Sequence, residues 1–307
     1  MPAITSSARR RIFPGARIIL FTGLLSPWLM VSTIHAAEFS VFAGGVAGVE
    51  ALTVATNSTA FRAAGGGLYL HNNGWVDLTP AQRKQVIGIF SNAPVAIELG
   101  FGGNDNSAKV WASACRKSYL SLGIKPTFIA ANAFANDNHP TPQQWSAYMA
   151  ALRAASVTTN TLILPTFEFQ NFRPNLDTLA QNTVSHRPDF QAIIRAAGGI
   201  VLDTPAGYFF SREPAYHVWV VDAIRWTRAQ GLKTVVIVSP HSSKNNFAAH
   251  SLKFLGFLRA QQAVPDIFAV ENYNPEPPAD YPNVVGNENQ PNTALGVARG
   301  LQLQKTF

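Results

Sequence analysis

The chain of 307 residues is 47% hydrophobic and 13% charged, and it carries a formal net charge of +7. No run of Lys and Arg follows Arg17, so the clustered basic stripe that a nucleic-acid backbone requires is missing, and we expect no nucleic-acid partner. Cys115 is the only cysteine, which excludes an intramolecular disulfide, so stability has to come from a large core.

The first 37 residues have the three-part layout of an export signal and are not expected to belong to the fold. Four arginines form the basic start, an apolar middle runs from Ile18 to Val31, and the exit ends in Ala36 and Ala37. The middle is too short to span a bilayer comfortably, and an uncleaved anchor is the alternative interpretation. We therefore predict cleavage after Ala36 or Ala37 and a secreted or periplasmic protein with no stable membrane insertion.

Removal of this segment changes the electrostatic interpretation. The formal charge falls from +7 to +3, because the leader holds four Arg and no acidic residue. The paired arginines at positions 10 and 11 leave Sec and twin-arginine export both open. The remaining chain, residues 38–307, has no linker or low-complexity tract and is predicted to form one domain.

One unit recurs along residues 38–307: a short apolar run, then a polar or glycine-rich loop, then a segment with helical periodicity. The predicted strand and helix of each unit are, in chain order, Phe39–Ala43 and Val49–Ala63, Gly67–His71 and Pro80–Ser91, Val95–Leu99 and Ser107–Leu122, Thr127–Ala131 and Pro142–Ala155, Thr161–Phe167 and Arg187–Ala197, Ile200–Asp203 and Pro214–Gln230, Thr234–Ser239 and Asn246–Gln262, and Ile267–Glu271 and Thr293–Gln304.

Several predicted helices have recognisable ends. Thr79 and Thr141 precede prolines as N-cap residues, where the missing amide proton of proline costs nothing. A glycine that can adopt the left-handed conformation follows four of the helical segments, at Gly65, Gly123, Gly198 and Gly231.

Strands that are separated by helices must pair in parallel, and buried parallel strands are continuous apolar runs, as at residues 161–165 and 234–238. Eight such units favour closure into an α/β fold of the TIM-barrel type, a (β/α)8 barrel, over an open doubly wound sheet. The glycines at positions 44 and 45 open no dinucleotide-binding fingerprint.

Polar residues follow the ends of the predicted strands. In barrels of this type, the active site lies at this end of the strands. Four carboxylates follow apolar runs there and are the predicted catalytic residues: Glu98, Glu168, Asp203 and Glu271. Carboxylates that share a pocket can divide between a protonated general acid and an ionised nucleophile or base. This division of roles is what glycosidic-bond hydrolysis requires.

Aromatic and amide side chains crowd the same loops and suit sugar rings, whose faces are apolar and whose rims carry hydroxyls. Packing of loops onto the barrel is the alternative role for the aromatic residues. The predicted substrate-binding residues are His71, Asn72, Trp75, Asn132, Asn171, Tyr208, His241 and Tyr273.

This layout resembles the glycoside-hydrolase barrels, specifically the large clan of retaining enzymes whose two glutamates leave strands three apart. Glu168 and Glu271 leave predicted strands five and eight, and the resemblance implies that Glu168 is the acid/base and Glu271 the nucleophile, about 5 Å apart. The chain departs from that pattern because Phe167, not Asn, precedes Glu168, and because the clan uses strands four and seven. No specific family is assigned.

The first hypothesis is therefore an exported, carbohydrate-active hydrolase that acts on a polysaccharide or oligosaccharide without cofactor or metal. A metal-dependent hydrolase or phosphodiesterase is the second hypothesis, with His71, Glu98, Asp203 and His241 around a divalent ion. A barrel that binds glycan in an aromatic groove without cutting it is the third.

Overall fold

The computed structural model describes residues 39–45, 48–71, 75, 77–99, 124–131, 142–154, 161–168, 183–212, 214–273 and 285–306. For Glu168 the description covers the backbone. The predicted leader, the predicted helix 107–122, the N-cap Thr141 and the glycine at position 123 lie outside these ranges. The same is true of Asn72, Asn132 and Asn171.

Eight parallel strands close into a barrel in sequence order, which confirms the predicted fold class. The ring closes because the first strand pairs with the last, with Phe42 opposite Ala269. The strands are β1 Ser40–Gly45, β2 Gly67–His71, β3 Val95–Leu99, β4 Phe128–Ala131, β5 Leu162–Glu168, β6 Gly199–Asp203, β7 Lys233–Val238 and β8 Ile267–Val270.

Helices lie between the strands, within two residues of their predicted bounds in most cases. The described residues also differ from the prediction locally. The predicted helix 49–63 is interrupted at Ser58, and a short helix that was not predicted follows β6. Within the described ranges, the α-helices are α1 Gly48–Asn57, α2 Thr59–Ala63, α3 Pro80–Ile89, α4 Pro142–Ala154, α5 Pro188–Ala197, α6 Ala206–Ser211, α7 Pro214–Ala229, α8 Phe247–Ala260 and α9 Ala294–Leu303.

The predicted helix ends are confirmed where the structure describes them. The Thr79 hydroxyl accepts from the amide of Gln82, whose side chain accepts from the Thr79 amide, so that a capping box begins α3. Gly198 ends α5 with a φ of +83°, a left-handed conformation that favours glycine. Among the described residues, no helix is both long and apolar enough to cross a bilayer.

Alternating side chains divide the barrel into two apolar layers. One layer lies between strands and helices, and the other fills the interior of the ring. The interior cluster consists of Phe42, Tyr69, Ala96, Phe128, Ala130, Leu164, Val201, Val235, Ile237 and Ala269. The interior is therefore a packed core, and function has to be sought at its ends.

The base of the barrel contains a carboxylate that serves the fold. Asp266 Oδ2 accepts hydrogen bonds from the amide of Thr234 at 2.8 Å and from its hydroxyl at 2.9 Å, which ties the start of β8 to β7. Thr234 is fully buried, so its amide has no solvent to replace this partner.

We predict that Asp266→Ala lowers the free energy of unfolding by about 1–3 kcal/mol, because it leaves buried donors without an acceptor. Urea denaturation measures the change. The catalytic rate, once a substrate is known, is expected to stay within about twofold of the wild type, since strand starts lie opposite the functional end. Unchanged stability would contradict the assigned role.

Candidate functional site

The interior of the barrel changes from apolar to polar at one level. Within the described residues, six strands carry a polar residue two positions beyond their last interior apolar residue, and side chains two apart on a strand share a face. We call these six residues the mouth layer. They are His71, Glu98, Thr166, Asp203, Ser239 and Glu271.

Three carboxylates of the mouth layer are buried. Glu98 is 3% exposed, Glu271 5% and Asp203 7%. All three act on one phenol: burial raises the pKa of Tyr69 well above 10.0, and the charges of Glu98 and Glu271, the hydrogen bond to Glu98 and the charge of Asp203 raise it further. The structure therefore brings together three of the four predicted catalytic carboxylates.

Contacts with neighbouring side chains engage both oxygens of Glu98. The Tyr69 hydroxyl donates to Oε2 at 2.5 Å, and His71 Nε2 lies 3.3 Å from Oε1. Strand register produces this arrangement, since His71 lies directly opposite Glu98. Both side-chain oxygens of Glu98 are therefore held, and Tyr69 belongs to the site although its sequence context indicated only a core strand residue.

Glu271 continues β8 by one residue, because its amide donates to the carbonyl oxygen of Val238 at 3.0 Å. The next residue, Asn272, is 1% exposed and donates from Nδ2 to Oε1 of Glu50. Glu50 was missed by the sequence analysis. An acidic residue in the first turn of a helix is ordinary, because it complements the helix dipole, so its sequence carried no functional signal.

Glu168 ends β5, and its backbone lies opposite that of Asp203 on β6. Its position has the same strand parity as Thr166, a member of the mouth layer. The register therefore places the backbone of Glu168 at the mouth end of β5. Its distance from Glu271 lies outside the described side chains, and the pairing of these two residues stays a prediction.

A stack of rings lies where the connections after β6 and β7 meet. The Tyr208 ring lies 5.4 Å from the ring of His241, with 26° between their planes. The Arg212 guanidinium lies 3.9 Å from the centre of the same tyrosine ring. Both rings are more than nine-tenths buried. Tyr208 and His241 therefore form a packed wall of the mouth.

The remaining predicted aromatic residues differ in exposure. Trp75 is 1% exposed, and its carbonyl oxygen accepts from Arg83 Nε at 3.1 Å, a placement that favours packing. Tyr273 is 37% exposed and directly follows the Glu271–Asn272 pair, so part of this residue faces solvent next to that pair. Within the described ranges, no three His, Cys, Asp or Glu side chains are arranged as metal ligands.

No protein-family model and no curated protein matches the chain. Solved structures that match include KGPDC from Streptococcus mutans, with 10% identity, a TM-score of 0.45, and coverage of 88% of this chain and 98% of that chain. The glycoside hydrolase domain of PgaB (BpsB) from Bordetella bronchiseptica matches with 10% identity, a TM-score of 0.44, and coverage of 75% and 93%.

A mutant PTE-like lactonase from Deinococcus radiodurans matches with 13% identity, a TM-score of 0.41, and coverage of 86% of each chain. The class of this protein follows from its own topology: it is a closed (β/α)8 barrel of the TIM type. The resemblance to barrel enzymes is confirmed at that level, without a specific family.

Burial is the largest cause that raises the pKa values of Tyr69 and Tyr216 well above 10.0. We therefore predict that these two residues make the free energy of unfolding decrease at alkaline pH. Above about pH 10 the unfolded chain releases these protons whereas the folded chain keeps them. The free energy of unfolding, measured with urea at about pH 9 and about pH 11, should therefore decrease less in the double variant Tyr69→Phe/Tyr216→Phe than in the wild type. Tyr273→Phe, at a half-exposed residue, is the control. An equal decrease in the free energy of unfolding in the wild type and in the double variant would contradict the prediction.

Proposed function

We propose that this protein is a carbohydrate-active hydrolase that cleaves glycosidic bonds by carboxylate acid/base chemistry. The observation that carries the proposal is the convergence of three buried carboxylates on Tyr69 at one end of the barrel. The backbone of Glu168 lies at the exit of β5, opposite Asp203 in register, and we propose that this residue is the fourth carboxylate of the site. The substrate we infer is a polysaccharide or oligosaccharide.

Several carboxylates in one dry cavity repel one another when all are ionised, which favours a state in which one keeps its proton. Glu98 is suited to remain an anion, because it accepts a hydrogen bond from Tyr69 and contacts His71. The proton that the reaction requires is then carried by one of the other carboxyl groups. We assign it to Glu168 as general acid, and we assign the nucleophile to Glu271.

In this mechanism, Glu168 donates its proton to the glycosidic oxygen while Glu271 attacks the anomeric carbon, so that the carbon–oxygen bond breaks and an ester forms. Water then attacks the same carbon, Glu168 takes a proton from that water, and the ester bond to Glu271 breaks. Asp203 lies opposite Glu168 in register and contributes negative charge that stabilises the cationic transition state.

Sugar recognition in this proposal uses the rim of the barrel. Tyr273 offers an exposed ring beside Glu271, and apolar sugar faces pack well on such rings. Tyr208 and His241 form a stacked wall, and in this proposal that wall bounds the space in which the sugar binds.

We expect that Glu168→Gln and Glu271→Gln each lower hydrolysis by at least about 100-fold, because each removes a group that transfers a proton or forms a bond in the reaction. Reducing ends released from a panel of polysaccharides, with and without EDTA, measure the effect. Asp222→Asn is the matched control, since Asp222 accepts from the Ser185 amide among the helices.

Three outcomes would overturn the assignment. Wild-type protein that binds a glycan and releases no reducing ends would indicate a binding barrel. Activity that disappears in EDTA and returns with a divalent cation would indicate metal-dependent hydrolysis. Full activity in both glutamine variants would remove the carboxylate mechanism itself.

We further propose that the protein is exported and that its leader is removed. The support is the basic start, the apolar middle and the small-residue exit at Ala36 and Ala37. Expression in a bacterium with export machinery should yield a soluble product outside the cytoplasm. Its intact mass should correspond to a chain that begins at Ala37 or Glu38. A full-length mass in the membrane fraction would instead support an uncleaved anchor.

A further inference from the structure

Two elements distant in sequence meet beside Glu271. Glu50 lies in the first turn of α1, immediately after β1, and Asn272 directly follows Glu271 at the exit of β8. The Asn272 amide donates to Glu50 Oε1 across a sequence separation of 222 residues. Because Asn272 is 1% exposed, water cannot substitute for this acceptor without a rearrangement.

The end of β1 leaves room for this contact. A Cβ atom at Gly45 would lie 2.8 Å from Glu50 Oε2 and 2.9 Å from Val285 Cγ2, closer than real Cβ contacts. Val285 is itself 3% exposed, and its carbonyl oxygen accepts from the Leu295 amide at 3.1 Å. The carboxylate of Glu50 is therefore confined between β1, β8 and the segment that precedes α9.

The pairing of β8 ends close to Glu271 and does not by itself fix the direction of the Glu271 side chain. β8 ends at Val270, and the hydrogen bond from the Glu271 amide to the carbonyl oxygen of Val238 lies beyond that point. The side chain of Asn272 supplies a further hydrogen bond, to Glu50 in α1, on the other side of the junction between β1 and β8. This attachment limits rotation of the backbone between the two residues, and it thereby limits where the Glu271 carboxylate can point.

We propose that Glu50 is a positioning residue that fixes Glu271 through Asn272, an inference that rests on the proposed function. The chemistry of the pair supports this role. An amide donates to the Glu50 carboxylate without bringing a cation into the mouth, whereas Lys or Arg at position 272 would neutralise part of the negative charge that the mechanism uses.

Reversal of the pair tests the proposal. Asn272→Asp places two carboxylates in contact and should displace Glu271, which lowers kcat about 100-fold with little change in KM. Adding Glu50→Gln restores an amide–carboxylate pair with its roles exchanged, so the double variant should recover kcat to within about fivefold of the wild type. Glu50→Gln alone keeps an acceptor oxygen and should remain active, whereas Glu50→Ala should not.

Glu288→Gln is the matched control, because Glu288 accepts from the amides of Ala60 and Phe61 and anchors α2 away from Glu271. It should alter stability without lowering kcat. Crystal structures of Asn272→Asp and of the double variant provide a readout independent of turnover: the Glu271 carboxylate should move by about 1 Å in the first and return in the second.

An unmoved Glu271 in Asn272→Asp, or wild-type kcat in Glu50→Ala, would overturn the positioning role. Wild-type protein that hydrolyses no glycan would overturn the proposed function. In that case the crystallographic comparison would still decide whether Glu50 controls the direction of Glu271.

Discussion

Closure of eight parallel strands into one ring is the constraint on which the rest of this structure depends. In a closed ring, every second side chain of each strand points into a narrow interior. A polar residue at an interior position therefore has to find partners there. Below the mouth layer the interior positions are filled by apolar side chains such as Phe42, Leu164 and Val235. At the mouth layer the same alternation buries Glu98, Asp203 and Glu271, each of which is less than one-tenth exposed.

Two groups of acidic residues can be distinguished in the described part of the chain. Asp266 and Glu288 accept backbone hydrogen bonds and tie neighbouring segments together away from the mouth. The mouth carboxylates are buried, and the charge of each acts on Tyr69, a costly arrangement that is typical of functional sites. Tyr69 and Glu50 connect the mouth to the rest of the fold. Tyr69 lies on a barrel strand and contacts Glu98, and Glu50 lies in the first helix and contacts Asn272.

Sequence patterns predicted the strands well because each is a short apolar run bounded by glycine or polar residues. They failed where local and tertiary preferences differ. The periodicity of residues 49–63 is continuous, yet the helix is interrupted at Ser58, next to the point where Glu288 accepts from Ala60 and Phe61. Helix α6 was missed since its residues, Ala206–Ser211, carry the aromatic composition of a binding loop.

The sequence by itself determined the repeating strand–helix unit, the parallel pairing and the polar residues at the strand exits, because these depend on spacing along the chain. Only the tertiary structure decided which side chains meet. The contacts of Tyr69 and His71 with Glu98 require the register of β2 on β3, and the contact of Asn272 with Glu50 requires closure of β8 onto β1. Register and closure depend on how the whole interior packs, and no local segment contains that information.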